Sequence, residues 1–203
     1  MKANHLLRAF GNSTPQLPDN AATVPLVKQK TDYSCGPAAL LAVLRYFGAD
    51  AGASEKDLYG ELGTTSKWGT SPEPMADAAS WRGLDASYEV GFSLDNLRSV
   101  LGAGGVAIVG IQAWPDSEDE VDVVWDAETG EGHYVVAIGV DAENVYCMDP
   151  SLEGAYGYMP VDEFASRWHD VEANGEFEYH PAIVVYGQAA DDEPTTRDVA
   201  LMG

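Results

Sequence analysis

The chain changes texture near residue 105, and that change constrains its fold more than any other feature. Beyond that point VAIVGIQAW (106–114), HYVVAIGV (133–140), NVYCMD (144–149) and AIVVYG (182–187) are β-branched runs bounded by turn residues. Before it the apolar residues recur at helical spacing. Leu40, Leu41, Val43, Leu44 and Phe47 form one face of a helix predicted from Pro37 to Phe47, and Gly48 ends it. SEKDLYGELG opens on the cap residue Ser54, SPEPMADAASW carries Met75, Ala78 and Ala79 at helical spacing, and SLDNLRSVLGAGG runs from Ser93 to closing glycines. DEFASRW is a small helix between strands. Helices first and an antiparallel sheet second make an α+β protein.

At 203 residues the chain is long enough for one domain with a proper core. Residues 1–22, rich in Asn, Pro, Ser and Thr, read as a flexible N-terminal arm. Residues 23–188 form the folded domain, in which ATVPLVKQ is an extended lead-in fixed by Pro25. Residues 189–203 read as a disordered acidic tail. No apolar run reaches the ~18 residues of a membrane span. The patch from Leu6 to Phe10 is short and broken by Arg8, unlike a secretory signal core, which points to the cytoplasm. The 33 acids against 11 bases give a net charge of −22, a field that repels nucleic acid and anionic membranes. Two readings fit it, adaptation to high salt and plain solubility. Oligomeric state is not written in the sequence.

Only two cysteines are present, Cys35 and Cys147. They make neither a disulfide framework nor a four-ligand zinc set, and no metal or cofactor is implied. A Cys35–Cys147 disulfide is disfavoured in a reducing compartment. Cys35 stands in DYSCGPAALLAVLRYFG, directly before Gly-Pro and at the start of the first helix. Proline suits a first helical turn because its missing N–H has no partner there in any case. The unpaired N–H groups and the dipole at that end favour an anion, and for cysteine the anion is the nucleophilic thiolate. Gly36 is expected to keep the approach to the sulfur open. The plainer reading is a small buried cysteine.

Gln29 lies upstream on the extended segment, where its amide can turn back and join the Cys35 N–H as a second donor to an oxyanion. Read alone it is a surface glutamine. His133 stands at the mouth of a strand after two nearby glycines, and Asp149 closes the next strand. A carboxylate bonded to an imidazole fixes its tautomer and steadies its charged form. The plainer readings are a hairpin-end histidine and an Asp-Pro turn. The two side chains meet only if they share a sheet face. A regular two-residue turn at Ala142-Glu143 would put them on opposite faces. A three-residue loop, or a bulge of the same effect, is therefore expected.

These two motifs, DYSCGPAALLAVLRYFG and GHYVVAIGVDAENVYCMDPS, resemble those of the bacteriocin-processing, double-glycine-leader cysteine peptidases of the papain-like superfamily. The likeness runs from about Val24 to Tyr186. It implies a papain-like fold with helices on one side, a sheet on the other and a cleft between. It implies that Cys35 is the nucleophile, His133 the base and acid, Asp149 the orienting group and Gln29 the oxyanion donor. The expected activity is peptide-bond hydrolysis on a peptide or protein substrate. Acyl or peptidyl transfer on the same triad and an inactive peptide-binding module are the alternatives. Transporter-linked members continue into membrane and ATPase portions that this sequence lacks, so a standalone form is expected, and the double-glycine substrate does not carry over. QAWPDSEDEVDVVWDAETGEG is a long acidic insertion before the histidine. Its segment 116–131 reads as a solvated loop. Rimming the cleft, it would favour cationic peptide; its oxygens would also suit calcium, though without EF-hand spacing. Trp114 and Trp125 bracket the insertion and either pin its ends to the sheet or wall a subsite; with Tyr134 they are the candidate substrate contacts.

Overall fold

The computed structural model describes residues 14–115, 123–171, 175–190 and 196–202. Its first helix, α1 (Cys35–Tyr46), is buried continuously from Cys35 to Leu44. A helix apolar on every side belongs in the middle of a protein. Leu40, Leu41 and Leu44 are almost wholly buried, each contributing roughly 1.5–3 kcal/mol by leaving water. Gly48, at φ +63°, closes the helix in the left-handed region that only glycine adopts without cost.

Around α1 pack α2 (Glu55–Leu62) and α3 (Pro72–Trp81), through Leu58, Leu62, Met75, Ala78 and Ala79. After β1 (Asp85–Glu89) comes α4 (Leu94–Gly102), with Ser93 and Asn96 forming its reciprocal cap. Then follow β2 (Val106–Gln112), β3 (Gly132–Val140), β4 (Asn144–Met148), β5 (Tyr156–Pro160) and α5 (Val161–Arg167). The chain continues through β6 (His169–Val171), β7 (Phe177–Tyr179), β8 (Ala182–Tyr186) and β9 (Val199–Leu201). Seven strands form one sheet in the order β1-β8-β2-β3-β4-β5-β9, antiparallel except for the parallel β5–β9 pair; β6 and β7 make a separate hairpin. Every residue of β2 is buried, which explains its unbroken apolar run. The fold is α+β, as the segregation of textures predicts.

The helices do not all lie on one side, however. One apolar cluster joins α1, α2 and α3 to Val136, Ile138, Tyr146 and Met148. A second gathers Leu97 and Val100 of α4 with Phe164 and Trp168 against Val135, Ala137 and Cys147. Alternate residues of the same strands feed the two clusters, so both sheet faces are covered.

Parts of both termini are more ordered than their composition predicts. Residues 1–13 of the arm lie outside the described residues. In the rest, Leu17 and Ala21 are buried, and the Ala22 N–H donates to the Ile138 carbonyl at 2.8 Å. In the tail, Val199–Leu201 adds to the sheet edge beside β5, and Met202 is buried over Gly157, where any side chain would collide with its sulfur. A few apolar residues suffice to seat a short strand on an open edge, and local polarity hides them. Among the described residues no helix is long and apolar enough to cross a membrane.

The β3–β4 hairpin resolves the register question. Val140 pairs with Val145, the pattern of a two-residue turn at Ala142-Glu143, but Ala137 pairs with Cys147 and Val136 with Met148. The pairing shifts by one residue at a β-bulge between Ala137 and Gly139. The bulge returns Asp149 to the face that carries His133, by the second of the two routes expected. The carbonyl of Ile138, the extra residue, is the one that Ala22 bonds.

Candidate active site

Cys35 is the first residue of α1 and is 9% exposed. The turn before it is closed by Ser34, whose hydroxyl donates to the Thr31 carbonyl and accepts the Thr31 N–H, both at 3.1 Å. Ser34 therefore makes no side-chain cap to the helix. Pro37 has no N–H, and the first helical bond comes from Ala38 to the Ser34 carbonyl. The amides of Cys35 and Gly36 are thus left uncapped beside the thiol, an arrangement suited to negative charge. Gly36 has a different role from the open approach expected of it. A Cβ there would lie 2.9 Å from Thr70 Cβ and 3.2 Å from Met75 Sδ, so its lack of a side chain lets the Thr70 loop close over the helix start.

His133 and Asp149 meet as the register requires. The imidazole Nε2 lies 2.7 Å from Asp149 Oδ1, and both side chains are buried. The same Oδ1 accepts the Ser151 N–H at 2.7 Å, the Asx turn that an Asp-Pro-Ser sequence makes. With Nε2 held by the carboxylate, Nδ1 is the nitrogen left for the Cys35 thiol, whose proximity raises the imidazole's pKa. Burial pulls the His133 pKa down, but the bonds to Asp149 and Cys35 outweigh it and lift the value to about 9. Burial likewise pushes Asp149 up, and its bonds to His133 and Ser151 more than reverse this, leaving it below the usual aspartate value. Trp114 tilts over the imidazole with ring centroids 5.2 Å apart.

Gln29 is tied to the same corner. Its N–H donates to the Pro150 carbonyl at 2.9 Å, so the segment before α1 runs beside the residue after Asp149. Its Nε2 donates to the Thr31 carbonyl at 2.8 Å, within the turn that carries Cys35. A primary amide has two such hydrogens, which leaves one for an oxyanion. Glu55 steadies this arm from below, accepting the Lys30 N–H at 3.2 Å and the Tyr59 hydroxyl at 2.7 Å. In the sequence Glu55 is an acid in the first turn of a helix; tertiary packing turns it inward, where it is 2% exposed.

A cleft of about 590 Å³ opens at Cys35. Tyr33, Trp68 and Thr70 line its helical side, and Thr129 to Gly132, Tyr134 and Asp170 its sheet side. Tyr134 lines the cleft. Trp125 does not; its ring covers the Arg167 guanidinium at 3.6 Å and buttresses α5. Trp68, in the turn between α2 and α3, was not singled out from sequence, yet it is 59% exposed at the cleft. Of the acidic insertion, residues 116–122 lie outside the described residues. Its far end, from Thr129 to Glu131, does border the cleft. Gln112 and His169 hold that end: Gln112 Oε1 accepts the Glu131 N–H at 3.1 Å, and His169 Nε2 meets the Glu128 carbonyl at 2.8 Å.

The second cysteine and His180 have structural duties. Cys147 is a free thiol wholly buried in β4, and burial drives its pKa far up. His180 bonds the Phe92 carbonyl and stacks on Trp168. Among the described residues, no group of His, Cys, Asp and Glu is arranged to hold a metal ion.

Two uncharacterized proteins, from Methanothermobacter marburgensis and Methanothermobacter thermautotrophicus, are 31% and 32% identical over 127 residues, covering 63% of this chain and 72% of theirs. Among solved structures, a protein described as a C39-like peptidase from Bacillus anthracis superposes with a TM-score of 0.60 at 22% identity, over 83% of this chain and 97% of that one. The peptidase domain of Streptococcus ComA, a bi-functional ABC transporter involved in a quorum sensing pathway, gives 0.57 at 21%, over 81% and 99%. A double glycine motif protease from an AMS/PCAT transporter, solved in complex with the leader peptide, gives 0.55 at 18%, over 85% and 98%. These structures share the papain-like fold. The sequence pattern of the Peptidase_C39 like family matches residues 21–175, so the chain belongs to that family.

Proposed function

We propose that the protein is a cysteine peptidase in which Cys35, His133 and Asp149 act as a triad and Gln29 assists. The observation that carries this reading is the buried His133–Asp149 bond of 2.7 Å, with the other imidazole nitrogen left for a thiol at a helix N-terminus. The Cys35 thiolate attacks the scissile carbonyl carbon, forming a C–S bond. Negative charge moves to the carbonyl oxygen, where the Cys35 N–H and the free Gln29 N–H are the available donors. The C–N bond then breaks as the His133 imidazolium delivers its proton to the departing amine. His133, now neutral, takes a proton from water, and the hydroxide releases the acyl group as a carboxylic acid. The cleft between Trp68 and Gly130 would receive an extended peptide, as the protease solved with its leader peptide receives a peptide chain.

Alkylation tests the nucleophile. The folded protein, treated briefly with iodoacetamide at pH 6, is expected to label at Cys35 at least about tenfold faster than at Cys147, because a buried thiol with a raised pKa does not react. Digestion and mass spectrometry read each cysteine separately. His133→Ala should slow Cys35 labelling and leave Cys147 unchanged. Equal labelling of the two, or no dependence on His133, contradicts the triad.

A further inference from the structure

Resting on the peptidase reading above, we propose that Asp170 sets substrate preference, its carboxylate receiving a lysine or arginine side chain of the peptide close to the scissile bond. Asp170 is the middle residue of β6 and lines the same cleft as Cys35. Its carboxylate rests on β2 and β3 at two positions that lack side chains. A Cβ on Gly132 would stand 2.5 Å from Oδ1, and one on Gly110 would stand 3.3 Å from Oδ2. Gly132 immediately precedes His133, so the carboxylate is seated beside the proposed general acid and base.

Among the described residues, Oδ1 accepts the N–H of the adjacent Val171 at 2.8 Å, and a carboxylate offers about four acceptor sites. Burial, with a smaller contribution from the charge of Glu178, raises its pKa to about 6; the Val171 bond and the charges of His169 and His133 offset this only in part. A carboxylate with that desolvation cost gains from an incoming cation more than an exposed one does. The surroundings favour the same ligand. Asp32 and Glu131 also line the cleft, and the one base among its described lining residues, Lys67, holds its ammonium 4.4 Å from the Trp68 ring. An arginine or lysine would lay its aliphatic stem along the cleft wall and place its charge at Asp170.

The test is a peptide-library digest by the wild type and by Asp170→Asn, which keeps the size of the side chain and an acceptor for Val171. At one subsite the wild type should favour Lys or Arg over Gln or Met by about tenfold or more, as loss of a charged hydrogen bond implies. Asp170→Asn should lose that preference, its rate ratio for Lys or Arg over Gln or Met falling to about one. A wild type that cleaves without favouring Lys or Arg at any subsite overturns the assignment, as does a variant that keeps the preference. The wild-type ranking decides alone should the variant fold poorly. A wild type that cleaves nothing overturns the peptidase reading itself, a different result.

Discussion

Replacing either Cys35 or His133 with alanine is expected to lower peptide hydrolysis on the order of 10⁴- to 10⁶-fold, and replacing both should cost little more than replacing one. The reason is mutual dependence. Without Cys35 there is no atom to carry the acyl group, and the imidazole has nothing to activate. Without His133 the triad holds no proton for the departing amine, since Asp149 carries its charge at neutral pH. The oxyanion donors survive both changes, so residual catalysis over water should remain. Single-turnover and steady-state rates on one peptide check this. Losses that multiply in the double variant would show two independent effects rather than one catalytic unit.

Asp149→Asn is expected to lower kcat by about 10²- to 10⁴-fold and to move the alkaline limb of the pH profile toward acid. In the proposed mechanism amine departure needs the His133 imidazolium, whose pKa is held at about 9 by Asp149 and Cys35 against the opposing effect of burial. Wild-type kcat/KM should therefore fall as pH rises through about 9. Asparagine keeps an oxygen near Nε2 but removes the charge, and burial then draws the histidine down. The same shifts appear in stability. The folded-state pKa of His133 lies above its unfolded value of about 6.5, so its contribution is complete below that pH and is lost as pH rises through about 9. Asp149 lies below its unfolded value of about 3.9, so its contribution is present above that pH and is lost as pH falls through its folded value. An alkaline limb unmoved by Asp149→Asn would detach the carboxylate from the proton chemistry.

Much of this site is legible in the sequence because local chemistry marks it. Cys35 stands before Gly-Pro at the start of a helix with a clear apolar face, and the structure buries that helix from Cys35 to Leu44. The parity of His133 and Asp149 across their hairpin demands an irregularity, and the bulge at Ile138 supplies it. What stayed hidden depends on contacts distant in the chain. Glu55, Trp68 and Asp170 look like ordinary surface residues until α2, the turn after it and β6 converge on the cleft. Trp125 looks like a subsite wall because it flanks the insertion, but Arg167, 42 residues on, claims its ring. The edge strands β1 and β9, and β5 beside β9, are short and partly polar, so alternation alone does not lift them above loop. Helix α4 reads correctly as a helix, but its position on the far face of the sheet follows from strand order, which composition does not encode.

The central claim is that a thiol at the start of α1 cuts peptide bonds with the help of His133. A digest of a diverse synthetic peptide library, read by mass spectrometry, tests it most directly when run with the wild type and with Cys35→Ala in parallel. The account predicts new peptide termini from the wild type, centred on a recurring sequence, and none from Cys35→Ala. Fragments appearing equally with both proteins, or with neither, would contradict it.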